Sequence, residues 1–207
     1  YVASNRGRDK TAIFEFDVTE SKEGKLIFEH DEVDVSGLMY SKKRKVLTGV
    51  NYTLAKRDVE FFDSWRENIQ NKLEKKLPGY EVGITSFSKD ETKAVIVTYS
   101  DKSRGTYYYY NVENDKLTEL GKISPWLNED HMAEMKPITY KSRDGLTIHG
   151  YLTLPKGSNG KNLPVVVNPH GGPWARDTWG YRPEIQFLAN RGYAVFQMNF
   201  RGSTGYG

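Results

Sequence analysis

The chain has 207 residues, 30 Lys and Arg against 27 Asp and Glu, and a formal net charge of +3. With no cysteine, disulfides, thiolate metal sites and a thiol nucleophile are all excluded, and neither redox compartment is selected. No apolar run approaches the roughly 20 residues of a membrane span, and the one dense basic run, Lys42-Lys43-Arg44-Lys45, is too narrow for a nucleic-acid-binding face.

The first 130 residues repeat. Tyr40-Ser41-Lys42-Lys43 recurs 47 residues on as Phe87-Ser88-Lys89-Asp90. Phe14-Glu15-Phe16-Asp17-Val18 recurs after twice that interval as Tyr108-Tyr109-Tyr110-Asn111-Val112, with Phe61-Phe62-Asp63 near the midpoint. Short aromatic and β-branched segments alternate with polar turns such as Arg6-Gly7-Arg8-Asp9, Ser41-Lys42-Lys43-Arg44 and Ser100-Asp101-Lys102-Ser103. A repeat of 40–50 residues or so built from such segments predicts four-stranded propeller blades. Residues 1–130 hold two to three blades, the first joined partway through at Tyr1-Val2-Ala3-Ser4, and closure of a propeller takes about 4–8. The basic run falls at a predicted hairpin turn. The tyrosine run 107–110 is expected to alternate, with Tyr107 and Tyr109 on one face of a strand and Tyr108 and Tyr110 on the other.

One segment breaks the strand pattern. Trp65, Ile69, Leu73 and Leu77 recur every four residues as the stripe of an amphipathic helix. Ser64 with Glu67 reads as a capping box, and Pro78-Gly79 as the stop. The helix of 64–77 is expected to pack across the blades. An interaction helix or a lid is the other reading.

Beyond residue 130 the pattern changes. Arg143-Asp144-Gly145 is a turn between two alternating segments, which predicts an antiparallel hairpin. Leu163-Pro164-Val165-Val166-Val167-Asn168 reads as a strand buried on both faces. It runs into His170-Gly171-Gly172-Pro173, where two glycines permit a sharp turn and close approach to a ligand. A helix is expected over 181–191, with Ile185, Leu188 and Ala189 on one face, Pro183 in its first turn and Gly192 at its stop. Tyr193 to Met198 reads as the next strand. Strand, helix, strand is a right-handed βαβ unit. An HGG loop after such a strand supplies half the oxyanion hole of α/β-hydrolases.

The order Pro169-His170-Gly171-Gly172-Pro173, a helix ending in Arg191-Gly192-Tyr193, and a strand running into Asn199-Phe200-Arg201-Gly202-Ser203-Thr204-Gly205-Tyr206-Gly207 resembles the prolyl oligopeptidase family of serine peptidases. The acylaminoacyl-peptidase and dipeptidyl-peptidase-like branch is the nearest in pattern, and residues 133–207 carry most of the resemblance. It implies a partial β-propeller over 1–130 followed by the start of an α/β-hydrolase domain over 131–207. It also implies a peptidase acting on short peptides through an acyl-enzyme, with no metal or organic cofactor.

The resemblance places the nucleophile, acid and base after Gly207, so no catalytic triad residue is expected in this chain, which by itself should be inactive. The oxyanion hole falls to Gly172 first, with Gly171 and His170 shaping its loop. His170 stands where other branches carry a tyrosine, and bracing is its expected task. Trp174, Trp179 and Tyr181 either line a substrate pocket or belong to the core. Ser203 lacks the Gly-x-Ser-x-Gly frame of a nucleophile elbow, because Arg201 stands at the first glycine, so a structural role is expected.

The expected partners are a peptide substrate and the remaining half of the catalytic domain, with neither nucleic acid nor membrane, and self-association into a homo-oligomer is open. Two other readings stand beside this one: a carboxylesterase-type hydrolase and a non-catalytic propeller binding module.

Overall fold

A computed structural model describes residues 1–207. Three strands open the chain: β1 (Val2–Ser4), β2 (Ala12–Asp17) and β3 (Lys22–Phe28), in an antiparallel sheet of that order. A second three-stranded sheet follows from β4 (Val35–Ser41), β5 (Val46–Thr53) and β6 (Arg57–Phe61). Ile13, Val33, Val35, Val50 and Tyr52 form the core shared by these strands, and Tyr206 from the distant end of the chain packs on it. The basic run is the turn between β4 and β5, where Arg44 pairs with Asp63 at 2.6 Å. These strands, with His170–Thr178 and Phe200–Gly207, make one compact unit.

Residues Trp65–Pro169 and Trp179–Asn199 make the other. α1 (Ser64–Lys76) lies in it from Trp65 on, with Glu67 in the first turn. β7 (Glu81–Phe87), β8 (Lys93–Tyr99), β9 (Thr106–Asn111) and β10 (Lys116–Lys122) form a four-stranded antiparallel sheet. Ile69 and Leu73 of the helix, with Leu77 just past its end, pack against Ala94, Ile96 and Tyr110, and the Trp65 ring lies tilted at 38° to Phe87 with ring centroids 5.8 Å apart. That is the packing expected of the stripe. On β9, Tyr108 and Tyr110 face this core while Tyr107 is exposed, as alternation requires.

The repeat falls on equivalent strands. Tyr40-Ser41 ends β4 as Phe87 ends β7. Phe14 lies on β2, Phe61 at the end of β6, and Tyr108 on β9. In chain order α1 follows the third strand of the 47-residue unit, in the place that β10 takes after β9.

The hairpin of β11 (Met135–Lys141) and β12 (Thr147–Thr153) closes at Lys141 and Thr147 around the predicted turn. β13 (Val165–Val167), α2 (Pro183–Asn190) and β14 (Ala194–Asn199) complete a sheet of order β11-β12-β14-β13, with β13 parallel to β14 and the other pairs antiparallel. Pro183 begins α2, and Ile185 and Ala189 are buried.

One expectation fails. The strand before the glycines is not buried on both faces, because Val165 is 60% and Val167 54% exposed. β13 is shorter than its apolar run, and it lies at the edge of the sheet, with a neighbour on one side only.

Candidate oxyanion-binding site

The candidate loop leaves the sheet in register. Asn168 N–H donates to the Phe196 carbonyl at 2.8 Å, which carries the β13–β14 pairing one step past the strand. Proline at 169 has no N–H to continue the ladder.

His170 is held on three sides. Its Nδ1 lies 3.0 Å from the Gly171 carbonyl, its Nε2 2.7 Å from Ser203 Oγ, and its ring stacks on Phe200 at 4.4 Å and 19°. A carbonyl oxygen only accepts, so Nδ1 carries the proton. In the neutral ring Nε2 is then an acceptor, and the Ser203 hydroxyl donates to it. With both nitrogens engaged, His170 has no N–H left for a ligand. Ser203 is 6% exposed, and its backbone N–H closes a turn onto the Phe200 carbonyl at 2.9 Å.

The two glycines differ. Gly172 has φ +148°, and a Cβ there would lie 2.8 Å from Trp174 N and 3.3 Å from the Ala175 Cβ. Glycine alone takes that backbone without strain. Gly171 has no positive φ, and a Cβ on it would meet nothing within 4 Å. Both are exposed, and neither N–H donates to another residue of the chain. After the glycines, Ala175 N–H closes onto the Pro173 carbonyl at 2.8 Å, and Thr204 N–H reaches the Ala175 carbonyl at 2.9 Å. The segment after β14 thus holds the loop at His170 and again at Ala175.

Among the aromatic candidates, Trp174 is 83% exposed in the first unit. Trp179 and Tyr181 belong to the second and are half-buried, and the Trp179 indole N–H donates to the Met135 carbonyl at 2.8 Å. No group of three or more His, Asp or Glu is placed to hold a metal. A polar cavity of about 490 Å³ in the second unit, walled by Tyr80, Arg104, Trp126 and Glu129, contains none of the loop residues. There the Tyr80 hydroxyl is pushed up to about 12 by burial and by its hydrogen bond to Glu129.

Two residues outside these sequence patterns also make long-range hydrogen bonds. Gln186, 7% exposed, uses its side-chain amide to bind both Ala133 N–H and Ala133 C=O, and it also donates to the Asp101 carbonyl. Its position beside Ile185 and one turn before Ala189 was the available signal. Arg176 crosses to carbonyls far away in sequence, and nothing in its local pattern marks it.

The acetyl xylan esterase (AXE1) family pattern matches residues 113–207. Dipeptidyl aminopeptidase BIII of Pseudoxanthomonas mexicana is 33% identical over 214 residues, a match that takes in 100% of this chain and 31% of that protein. The chain therefore spans about a third of the length of this relative. A structure from a study of two prolyl endopeptidases superposes with TM-score 0.69 at 17% identity, over 98% of this chain and 30% of the other. Porphyromonas gingivalis dipeptidyl peptidase 4 does so with TM-score 0.66 at 17% identity, over 99% and 29%. These two likenesses establish the fold, propeller blades followed by the opening strands of an α/β-hydrolase sheet, and with the sequence relatives and the HGGP loop they lead to one conclusion: the chain belongs to the prolyl oligopeptidase family of serine peptidases.

Proposed function

We propose that the protein carrying these residues hydrolyses peptide bonds of short peptides, with residues 1–130 as part of its propeller and 131–207 as the start of its catalytic domain. Gly172 N–H supplies half of the oxyanion hole. Gly171 and His170 shape the loop, and Trp174, Trp179 and Tyr181 are the candidates for substrate contact. The serine, acid and base lie after Gly207.

The serine Oγ attacks the carbonyl carbon as the base takes its proton, and the carbonyl electrons move onto oxygen beside Gly172. Collapse breaks the C–N bond, the amine leaves with that proton, and water then releases the acid by the same route. One observation carries the reading. Two exposed glycine N–H groups are left without a partner in a loop whose histidine is braced through both nitrogens. A donor of this kind is worth about 2.7–4 kcal/mol of transition-state stabilisation.

An esterase is the second reading, favoured by the AXE1 match over 113–207. The full-length protein distinguishes the two through fluorophosphonate labelling followed by a panel of dipeptidyl anilides and acetyl esters. Labelling with anilide turnover supports the peptidase. Labelling with acetyl-ester turnover alone assigns the esterase, and absence of label rejects both. The 207 residues by themselves are expected to be inactive. Turnover by them that survives Ser203→Ala would place the nucleophile somewhere other than proposed.

A further inference from the structure

Within the first unit, the loop after the glycines is tied to the blade strands through one side chain. Arg176 Nη1 donates to the Thr53 carbonyl at 3.1 Å, and Nη2 donates to the Leu54 carbonyl at 3.1 Å and to the Tyr206 hydroxyl at 2.7 Å. Nε reaches the Asp177 carbonyl at 3.4 Å, and the guanidinium carbon stands 4.3 Å from the Tyr206 ring centroid. Thr53 ends β5, and Leu54 begins the turn to β6. Tyr206 is itself packed on the blade core.

A planar fork with donors in fixed directions suits several carbonyls at once, and stacking on an aromatic ring adds to it. A lysine ammonium offers neither. Room for the fork depends on Gly205, since a Cβ there would lie 2.8 Å from Arg176 Nη1. Gly205 itself is anchored by Asp34 N–H donating to its carbonyl at 3.0 Å. Arg176 lies four residues after Gly172. Between them the loop makes its own Ala175–Pro173 bond, and the Ala175 carbonyl accepts from Thr204 N–H.

We propose that Arg176 is a positioning residue, which sets the oxyanion loop against the β5–β6 turn and so makes the rate of acyl transfer depend on the blade. The proposal rests on the peptidase reading above. It touches no reacting atom and acts through the placement of Gly172.

The test uses the full-length protein with three variants, Arg176→Ala, Arg176→Lys and Gly205→Ala. Steady-state kinetics on a dipeptidyl anilide are measured together with amide exchange over residues 170–178. Misplacement of a catalytic group by about 1 Å costs on the order of 100-fold, so kcat should fall by about that factor in Arg176→Ala, with KM little changed. Arg176→Lys should fail to restore it, Gly205→Ala should fall in the same direction, and exchange over 170–178 should rise in all three. Faster exchange with unchanged kcat overturns the catalytic role. Restoration by lysine overturns the fork. Protected exchange in Arg176→Ala overturns the tether itself. A folded wild-type protein with neither label nor turnover rejects the peptidase reading, and the exchange data then judge the tether separately.

Discussion

Strands β8 and β13 have nearly the same composition and opposite fates. β8, with Ala94, Val95, Ile96, Val97 and Thr98, is an inner strand, and its Ala94, Ile96 and Thr98 face is 3%, 0% and 2% exposed beneath α1. β13, with three consecutive valines, is an edge strand, and two of the three are more than half exposed. β-branched residues make a strand in both places. Burial comes from what lies beside and above it, and only β8 has a neighbour on each side and a helix over it. The loop that follows β13 is exposed at Gly171, Gly172, Pro173 and Trp174.

The largest expected effect falls on the open side. Gly172→Ala meets both the wrong φ and the Trp174 amide, and it should lower kcat of the full-length protein by about 10²–10³-fold. Gly171→Ala puts its methyl group into open space, so the chain should fold with unchanged stability. Equal melting temperatures for Gly171→Ala and wild type, beside a lower one for Gly172→Ala, would confirm that the two glycines are there for different reasons.

On the closed side, Leu73→Ala removes a fully buried side chain between α1 and its sheet. It should cost about 3 kcal/mol by urea unfolding. Val165→Ala at the edge should stay within about 0.5 kcal/mol. Equal costs for the two would abolish the contrast between these strands. The exposed edge of β13 also invites pairing, and the 207 residues by themselves should self-associate. A single monomer peak in sedimentation across a wide concentration range would refute this.

The smallest effect is a pH dependence. Burial raises the Tyr110 hydroxyl above its ordinary range, and so does the hydrogen bond it donates to Asp115 at 2.5 Å. The same bond comes first, ahead of Lys76, in holding Asp115 below the usual carboxylate range. A depressed carboxylate stabilises the fold above its unfolded value of about 3.9, and that stability is lost as pH falls through the folded one. A raised tyrosine contributes below about 10 and loses its contribution as pH rises past that point. Stability should therefore decline on both limbs. Tyr110→Phe should shrink both limbs, and Tyr80, raised by burial and Glu129, should leave an alkaline decline in the variant. Asp90, lowered to about 2 by Ser88 and Thr92, should leave an acid decline in the variant. Unfolding midpoints taken across pH in both proteins check this.

Much was legible because it is local. The stripe Trp65, Ile69, Leu73, Leu77 is a helix face whatever lies beneath it. Arg143-Asp144-Gly145 is a turn in almost any context, and the 47-residue recurrence marks equivalent strands. Pro183 and Gly192 bound α2 to within two residues of its expected ends. His170, Gly171 and Gly172 were recognisable because an HGG turn after a strand is a short, contiguous pattern. Ser203 lacks the spacing of a nucleophile elbow, but its hydrogen bond to His170, 33 residues away, is in no local pattern.

By itself, then, the sequence determined the element types, the blade repeat, the family and the place of the glycine turn after β13, since each depends on residues near one another along the chain. Tertiary structure alone decided that β13 is an edge, that His170 is locked between Gly171, Ser203 and Phe200, and that Arg176 reaches Thr53 and Leu54 across more than 120 residues. Burial and long-range hydrogen bonds depend on which surfaces meet when the chain folds back on itself. Neither periodicity nor composition encodes that choice.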